Sequence, residues 1–286
     1  MNKISWIASY PKSGNTYIRL LLSAYFYTAD GTISDFEPID NIFKISRYEF
    51  FKNVSDVPSI DDFLNEPKLI SQYWEEAQKA ISKKINNNLF IKTHDCMSVI
   101  SNNKFTSEKY TKSFIYVVRD PRSVAVSYSH HTGYDIDKTI NYLTSKNYII
   151  NYTKEEKTIP ELVSSWNIHY NSWKSFLKKG NGIIIKYEDL VTYPVNEFTR
   201  ILVFLNNIIK FNISEEKIIK SVESTHLSNL IKLEKKMGFK EKSINNRNFF
   251  RKGIFDEWKE VLTYKQIECI EKNFRSEMIE LNYLQP

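Results

Sequence analysis

The chain has 286 residues, of which 42% are hydrophobic, and its 40 lysines and arginines outnumber its 34 acidic residues to give a formal net charge of +6. This length provides for one large globular domain or two modest ones, and the mild positive charge suits an anionic ligand without requiring nucleic acid. Two distant cysteines, Cys96 and Cys269, exclude a zinc-ligand cluster and any disulfide framework beyond one bridge.

The same features predict a cytoplasmic location. So few cysteines fit a reducing compartment, and the segment Met1–Trp6 lacks the apolar core of a signal peptide. No apolar run approaches the ~20 residues that a membrane helix needs. We therefore expect neither a membrane nor a nucleic acid as a partner.

The first predicted strand, Ile4–Ala8, leads through a tight turn into a predicted helix, Asn15–Phe26. A helix start after a turn brings free backbone N–H groups to one point, where the helix dipole also favours an anion. Gly14 permits a close approach in that turn, and residues with donor side chains surround it: Lys12, Ser13, Asn15 and Thr16. The kinase pattern G-x-x-x-x-G-K-[ST] is absent, because the lysine precedes the single glycine. The turn predicts a phosphate cradle, with an ordinary strand–helix corner as the alternative.

The second predicted strand, Leu89–Thr93, ends at a lysine and a histidine. Lys92 and His94 are two positions apart on an extended segment, so their side chains point the same way. His94 is a candidate general base, because imidazole takes a proton near neutral pH, and a purely structural histidine is the alternative. Before this strand come a helix predicted around Ser71–Lys84 and a long excursion, Thr28–Pro67, which we interpret as a wall of an acceptor pocket.

The third predicted strand, Phe114–Val118, delivers Arg119 at its tip. A helix is predicted around Arg122–His131, with Asp120 as its cap and Ser127 two turns inside it. The guanidinium of Arg119 can bind a phosphate through its planar fork, and the Ser127 hydroxyl can donate to the same group. The alternative is a structural ion pair between Arg119 and Asp120.

The fourth predicted strand, Ile183–Lys186, ends at Tyr187, whose ring can lie against a purine base. Helices are predicted around Pro160–Lys178 and Tyr193–Leu205. The polar segment Tyr134–Lys157 is interpreted as a lid over the acceptor.

The C-terminal part carries a second cluster of cations. The charged stretch Lys232–Lys242 is interpreted as a solvated helix end and loop rather than as a gate over a ligand. Farther on, two cations join a glycine in Arg251, Lys252 and Gly253, which form a second candidate phosphate clamp. Two groups of phosphate ligands thus flank a histidine, an arrangement that describes a nucleotide phosphorylated at two positions.

Alternating strands and helices predict an α/β fold, with one domain over residues 1–286 and a central parallel sheet covered by helices on both faces. Ligands of such sheets bind at the carboxyl ends of strands, and each motif above lies at such an end or in a loop beyond it.

The motifs, in this order, resemble the sulfotransferases that use 3′-phosphoadenosine 5′-phosphosulfate (PAPS), the cytosolic type in particular. The resemblance spans nearly the whole chain and rests on five motifs: Tyr10–Thr16, Lys92–His94, Tyr116–Ser127, Tyr187–Asp189, and Arg251–Gly253 with Trp258 and Lys259. It implies a P-loop-like phosphosulfate-binding loop and in-line transfer of a sulfuryl group to a hydroxyl or amine of a small-molecule acceptor.

The resemblance also implies roles for the matching residues. The 5′-phosphosulfate is bound by Lys12, Ser13, Gly14, Asn15 and Thr16. The 3′-phosphate is bound by Arg119, Ser127, Arg251, Lys252 and Gly253. The adenine is contacted by Tyr187, Thr225 and Tyr17, the last of which stands where relatives often carry tryptophan. His94 takes the acceptor proton, Lys12 and Lys92 stabilise the transferring charge, and no metal is required. A dimer-contact motif is matched at Lys259, Thr263 and Glu268 and implies a homodimer.

Other functions stay open at this point. A P-loop kinase-like phosphotransferase would need ATP, Mg²⁺ and a Walker lysine, whereas a nucleotide-binding module without catalysis would need no base. Two departures bear on nucleotide binding: Leu227 stands where an aromatic often lies, and Asp256-Glu257 replaces a common Gly-Asp. The acceptor's class is open among phenol, alcohol, sugar and amine.

Overall fold

The computed structural model describes residues 3–52, 54–84, 89–152, 154–242, 248–251, 253 and 255–286. Its strands are β1 Ile4–Ser9, β2 Phe43–Lys44, β3 Leu89–Thr93, β4 Val99–Ile100, β5 Asn103–Lys104, β6 Thr111–Val118, β7 Ile149–Ile150, β8 Glu161–Leu162 and β9 Gly182–Lys186. Its α-helices are α1 Asn15–Tyr27, α2 Ile60–Asn65, α3 Trp74–Lys84, α4 Pro121–Thr132, α5 Ile136–Thr144, α6 Trp166–Phe176, α7 Tyr187–Thr192, α8 Pro194–Ile209, α9 Glu215–Ser224, α10 Leu227–Met237, α11 Trp258–Val261 and α12 Tyr264–Glu280.

The centre of the molecule is a five-stranded parallel sheet in the order β2-β3-β1-β6-β9. Ala8 pairs with Thr93 on one side and with Tyr116 on the other, so β1, β3 and β6 end close together. This register brings the loops after the three strands to one edge of the sheet. The predicted α/β fold with a central parallel sheet is confirmed.

Both faces of the sheet are buried, because successive side chains of a strand point to opposite faces. Trp6 packs in one hydrophobic cluster with Phe114 and Trp173, whereas its neighbour Ile7 packs in another with Ile115. All six residues of β1 are buried, including Ser5 and Ser9, which explains why its side chains do not alternate between apolar and exposed polar positions.

The predicted helix over Pro160–Lys178 is wrong in its first turn and a half, since α6 begins only at Trp166. Tertiary hydrogen bonds hold the preceding residues extended. The Leu162 carbonyl accepts from the Cys96 N–H at 2.8 Å, and the Leu162 N–H donates to the Asp95 carboxylate at 2.8 Å. Such partners, far away in sequence, override local helix propensity.

Two segments without clear periodicity contain regular structure. The excursion Thr28–Pro67 holds the edge strand β2, which has only two residues and so leaves no periodic pattern. The segment Tyr134–Lys157 holds α5, capped by the Asp135 side chain, and β7. Across the described ranges, no helix has the length and apolar character needed to cross a membrane.

Candidate active site

The loop after β1 forms a cradle at the start of α1. Lys12 and Gly14 both adopt positive φ, 66° and 106°, and the helix begins at Asn15. The Asn15 side-chain amide donates to the Ile7 carbonyl at 3.1 Å and to Ser9 Oγ at 3.2 Å, which ties the helix start to β1. A Cβ at Gly14 would lie 2.4 Å from the ring of Tyr187, so only glycine fits there.

Cationic side chains converge on this cradle from three strand ends. The Arg119 guanidinium donates to the Lys12 carbonyl at 3.2 Å and lies 4.5 Å from the Tyr187 ring centroid. Burial lowers the pKa of Lys12 to about 8; Glu241 opposes this shift, and the cations Arg119 and Lys92 add to it. The pKa of Lys92 is likewise lowered to about 8, chiefly by burial. Bringing these cations together out of water is unfavourable unless an anion balances their charge. The arrangement therefore indicates an anion-binding site.

Three buried polar atoms of the cradle make no hydrogen bond within the described part of the chain: Ser13 Oγ, Asn15 Oδ1 and Arg119 Nε. Two of them are donors, and an unsatisfied buried donor is costly unless a ligand completes it. The cradle therefore fits an oxyanion such as phosphate or phosphosulfate.

His94 lies just beyond β3 with its ring held in one tautomer. Its Nδ1 is 2.7 Å from the Ser9 carbonyl oxygen, which can only accept, so Nδ1 carries the hydrogen and Nε2 is left basic. Burial and the nearby Lys92 charge lower the pKa of His94 well below its usual value, so the imidazole is neutral at physiological pH. The ring thus has the protonation state that a general base needs.

A carboxylate that the sequence analysis did not single out supports this histidine. Glu161 is fully buried; it accepts from the His94 N–H at 3.1 Å and from the Tyr152 hydroxyl. The His94 carbonyl accepts from His169 Nε2 at 3.0 Å. These contacts join His94 to Tyr152, which belongs to the segment interpreted as a lid.

Aromatic rings lie close to the Lys12 side chain. Its Nζ is 4.5 Å from the ring centroid of Phe249, and the Phe249 ring meets His131 edge-on. The rings of His131 and Tyr128 are stacked. The Tyr128 hydroxyl is 2.5 Å from the Tyr148 hydroxyl. The segment 134–157 also contacts the loop after β1 directly, since the Tyr10 hydroxyl donates to the Tyr142 carbonyl at 3.4 Å, and its place beside the acceptor stays a prediction.

The residues of the second predicted clamp come from the end of β6, from α4 and from the C-terminal loop. Ser127 is half-buried on α4, and Arg251 forms a two-point ion pair with Glu257. Gly253 adopts φ 65°, and a Cβ there would lie 2.5 Å from Leu227. Lys252 lies outside the described residues.

Asp120 does not form the ion pair with Arg119 that the sequence left open. Its carboxylate accepts instead from the Arg122 N–H at 2.8 Å, as the predicted helix cap, and from the Arg122 guanidinium at 2.7 Å. The Arg119 guanidinium therefore contacts the cradle instead of Asp120.

The residues predicted to contact adenine lie in two places. Tyr17 and Tyr187 lie near each other beside the cradle, and burial with the neighbouring Tyr187 raises the pKa of Tyr17 to about 12. Thr225 is fully buried at the end of α9, where its hydroxyl donates to the Ser221 carbonyl at 2.6 Å.

The interpretation of Lys232–Lys242 as solvated is wrong for three residues, because Glu234 and Phe239 are buried and Glu241 contacts α1. Lys235 and Lys236 are exposed, but the Glu241 carboxylate accepts from Thr16 Oγ1 at 2.9 Å and from Arg19 at 2.5 Å. No sequence signal marks this contact, since 225 positions separate Glu241 from Thr16.

The fold and the site together define an α/β protein with an oxyanion cradle at the carboxyl edge of its sheet and a neutral imidazole close by. The chain belongs to the sulfotransferase domain family, which matches residues 3–282. This confirms the predicted family and enzyme class.

Curated relatives resemble the chain over nearly its whole length. Sulfotransferase 1B1 of Mus musculus is 28% identical over 284 residues, covering 95% of this chain and 81% of that protein. Flavonol 4′-sulfotransferase of Flaveria chlorifolia is 25% identical over 274 residues, covering 93% and 76%. Amine sulfotransferase of Oryctolagus cuniculus is 23% identical over 284 residues, covering 96% and 80%.

Solved structures share the fold. Retinol dehydratase in complex with androsterone and the inactive cofactor PAP matches with a TM-score of 0.62 and 16% identity, covering 96% of this chain and 80% of that one. A mouse sulfotransferase complexed with PAP matches with a TM-score of 0.59 and 20% identity, covering 96% and 84%.

Proposed function

We propose that the protein transfers the sulfuryl group of PAPS to a hydroxyl or amine of a small-molecule acceptor by in-line displacement, with His94 as the general base. The single observation that carries this proposal is the His94 ring, whose Nδ1 donates to the Ser9 carbonyl so that Nε2 is left basic, near the charge of the buried Lys92. When bound, PAPS supplies an activated sulfuryl group on a phosphate leaving group.

The chain's own residues bind and position in this mechanism. Ser13, Asn15 and Thr16, with the backbone at Gly14, surround the 5′ group, while Lys12 offsets charge on the departing oxygen. Lys92 stabilises charge on the transferring group, and preorganised cations of this kind act strongly in a buried site. Lysine and arginine meet the charge, so the proposal includes no metal.

His94 takes the acceptor proton at Nε2, and the Ser9 carbonyl holds the ring while it does so. Proton transfer of this kind contributes typically ~10²–10⁴ in rate. The aromatic side chains near Phe249 and Tyr148 would pack against the acceptor, which suits a small molecule with apolar surface.

Arg119 and Ser127 would bind the 3′-phosphate, together with Arg251, Lys252 and Gly253 from the C-terminal loop. Tyr17, Tyr187 and Thr225 would contact the adenine. The two unpaired cysteines, Cys96 and Cys269, support a reducing, cytoplasmic setting.

The test is transfer of labelled sulfate from PAPS to a panel of phenols, alcohols, sugars and amines. Wild-type protein should transfer to at least one acceptor, and His94→Gln should lower the rate by about 10²–10⁴. Binding of 3′-phosphoadenosine 5′-phosphate, measured by calorimetry, should change little in His94→Gln. His130→Gln, an exposed histidine on α4, is the matched control and should retain transfer.

Two outcomes would contradict the proposal. Nucleotide binding without transfer to any acceptor would indicate a binding module without catalysis. Thermal stabilisation by ATP–Mg²⁺ but not by the 3′,5′-bisphosphate would indicate a phosphotransferase.

A further inference from the structure

A buried arginine lies one turn along α1 from the cradle. Arg19 is 3% exposed, and its Nε donates to the Ile42 carbonyl at 3.1 Å. Thr16 and Arg19 are three residues apart, so both side chains lie on one face of the helix. A guanidinium removed from water in this way needs an anionic partner.

The anion that it meets here belongs to the chain itself. One oxygen of Glu241 accepts from Thr16 Oγ1 at 2.9 Å, and the other accepts from Arg19 at 2.5 Å. Although burial raises the pKa of Glu241, the charges of Arg19 and Lys92 hold it well below its usual value, so the carboxylate is ionised. Its charge also acts on Lys12 and Lys92, for each of which it is the strongest charged influence.

The two donors that contact Glu241, with the charges of Lys12 and Lys92 nearby, match a tetrahedral oxyanion as well as they match a carboxylate. The two oxygens of the Glu241 carboxylate accept from a hydroxyl and from a guanidinium, and two ammonium groups lie near. Phosphate and sulfonate groups are commonly bound by the same kinds of group. Thr16 belongs to the loop that holds the 5′ group in the proposed function, so the carboxylate lies in the region that this group would enter.

We propose that Arg19 joins Thr16 as a ligand of the 5′-phosphosulfate, and that the Glu241 carboxylate occupies the donors of both residues until the nucleotide displaces it. This inference rests on the proposed function. A multiply charged anion cannot share the two donors with an ionised carboxylate at contact distance, because like charges so close repel strongly. Glu241 therefore competes with the nucleotide and also neutralises Arg19 in the free protein.

The test uses Glu241→Gln, which keeps the shape and removes the charge. Affinity for 3′-phosphoadenosine 5′-phosphate, measured by calorimetry, should rise by about ten- to a hundredfold. The ligand-free variant should unfold at a lower temperature than wild type, because Arg19 loses its counter-charge. Glu216→Gln on α9 removes the same charge from an exposed side chain and should change neither quantity.

Two further variants complete the test. Glu241→Asp keeps a counter-charge for Arg19 but is too short to span both donors, so it should fold and show a smaller gain in affinity. Arg19→Lys in the Glu241→Gln background should lower nucleotide affinity by about tenfold, because one ammonium cannot bind the Ile42 carbonyl and the anion at once as the guanidinium does. An unchanged affinity there overturns the assignment of Arg19.

The outcomes separate this inference from the proposed function. If wild type binds the nucleotide and neither Glu241 variant gains affinity, the competition is refuted and Glu241 only supports the loop. If no variant and no wild-type protein binds the nucleotide, the proposed function fails and this inference fails with it.

Discussion

At the scale of single residues, the types that carry the chemistry could be read from the sequence, but their charge states could not. Lys12 and Lys92 are marked by their positions after predicted strands. Their lowered pKa values depend on burial and on the charges of Arg119 and Arg19, partly offset by Glu241, which the chain brings together from remote positions. Glu241 and Glu161 were missed for the same reason, since neither belongs to a recognisable motif.

The lowered lysine pKa values predict how nucleotide binding depends on pH. Below pH 8 both ammonium groups are charged and attract the bisphosphate; above pH 8 they lose their protons and the attraction falls. Affinity measured by calorimetry should be nearly level from pH 6.5 to 7.5 and fall by about tenfold or more by pH 9.5. Lys92→Arg, which stays charged, should show roughly half of that slope. A level affinity up to pH 9.5 would refute the assignment of these lysines.

At the scale of elements, the strands were predicted within a few residues, because apolar runs buried on both faces are distinctive. The prediction Leu89–Thr93 matches β3, and Phe114–Val118 falls three residues short of β6, which begins at Thr111. The missed strands β2 and β8 have two residues each and exist through partners elsewhere in the chain, and the longer helices α9 and α12 were not predicted either.

The turn between β1 and α1 gives a prediction about backbone shape. Gly14→Ala places a Cβ 2.4 Å from the Tyr187 ring at φ 106°, so either the cradle or Tyr187 must shift. Affinity for the bisphosphate nucleotide should fall by about tenfold or more. Gly238→Ala is the matched control, since its φ is also positive, 75°, and its Cβ would meet no described atom within 4 Å.

The control should lose about 1–3 kcal/mol of unfolding free energy from backbone strain, since its ψ of 176° at that φ is a combination that almost only glycine adopts, and it should keep its nucleotide affinity. Equal losses of affinity in the two variants would show that the close approach of Tyr187 to Gly14 is not what shapes the cradle.

At the scale of the whole molecule, we propose that the chain forms a homodimer through the segment Lys259–Glu268. Lys259, Thr263 and Glu268 are all exposed, although Lys259 also pairs with Asp256 at 2.6 Å and Thr263 caps α12. Sedimentation should give twice the chain mass of 33.8 kDa for wild type. Glu268→Lys should sediment as a monomer and Glu216→Lys as a dimer, and a wild-type monomer at every concentration would refute the proposal.

The hydrogen bond from His94 to Ser9 has a consequence for how the molecule tolerates change. The hydrogen-bond acceptor is the main-chain carbonyl oxygen of Ser9. Every residue type at position 9 that keeps the β1 conformation therefore provides the same oxygen. The path of the main chain therefore fixes the orientation of the His94 imidazole. Substitutions at position 9 leave this hydrogen bond in place as long as β1 is formed.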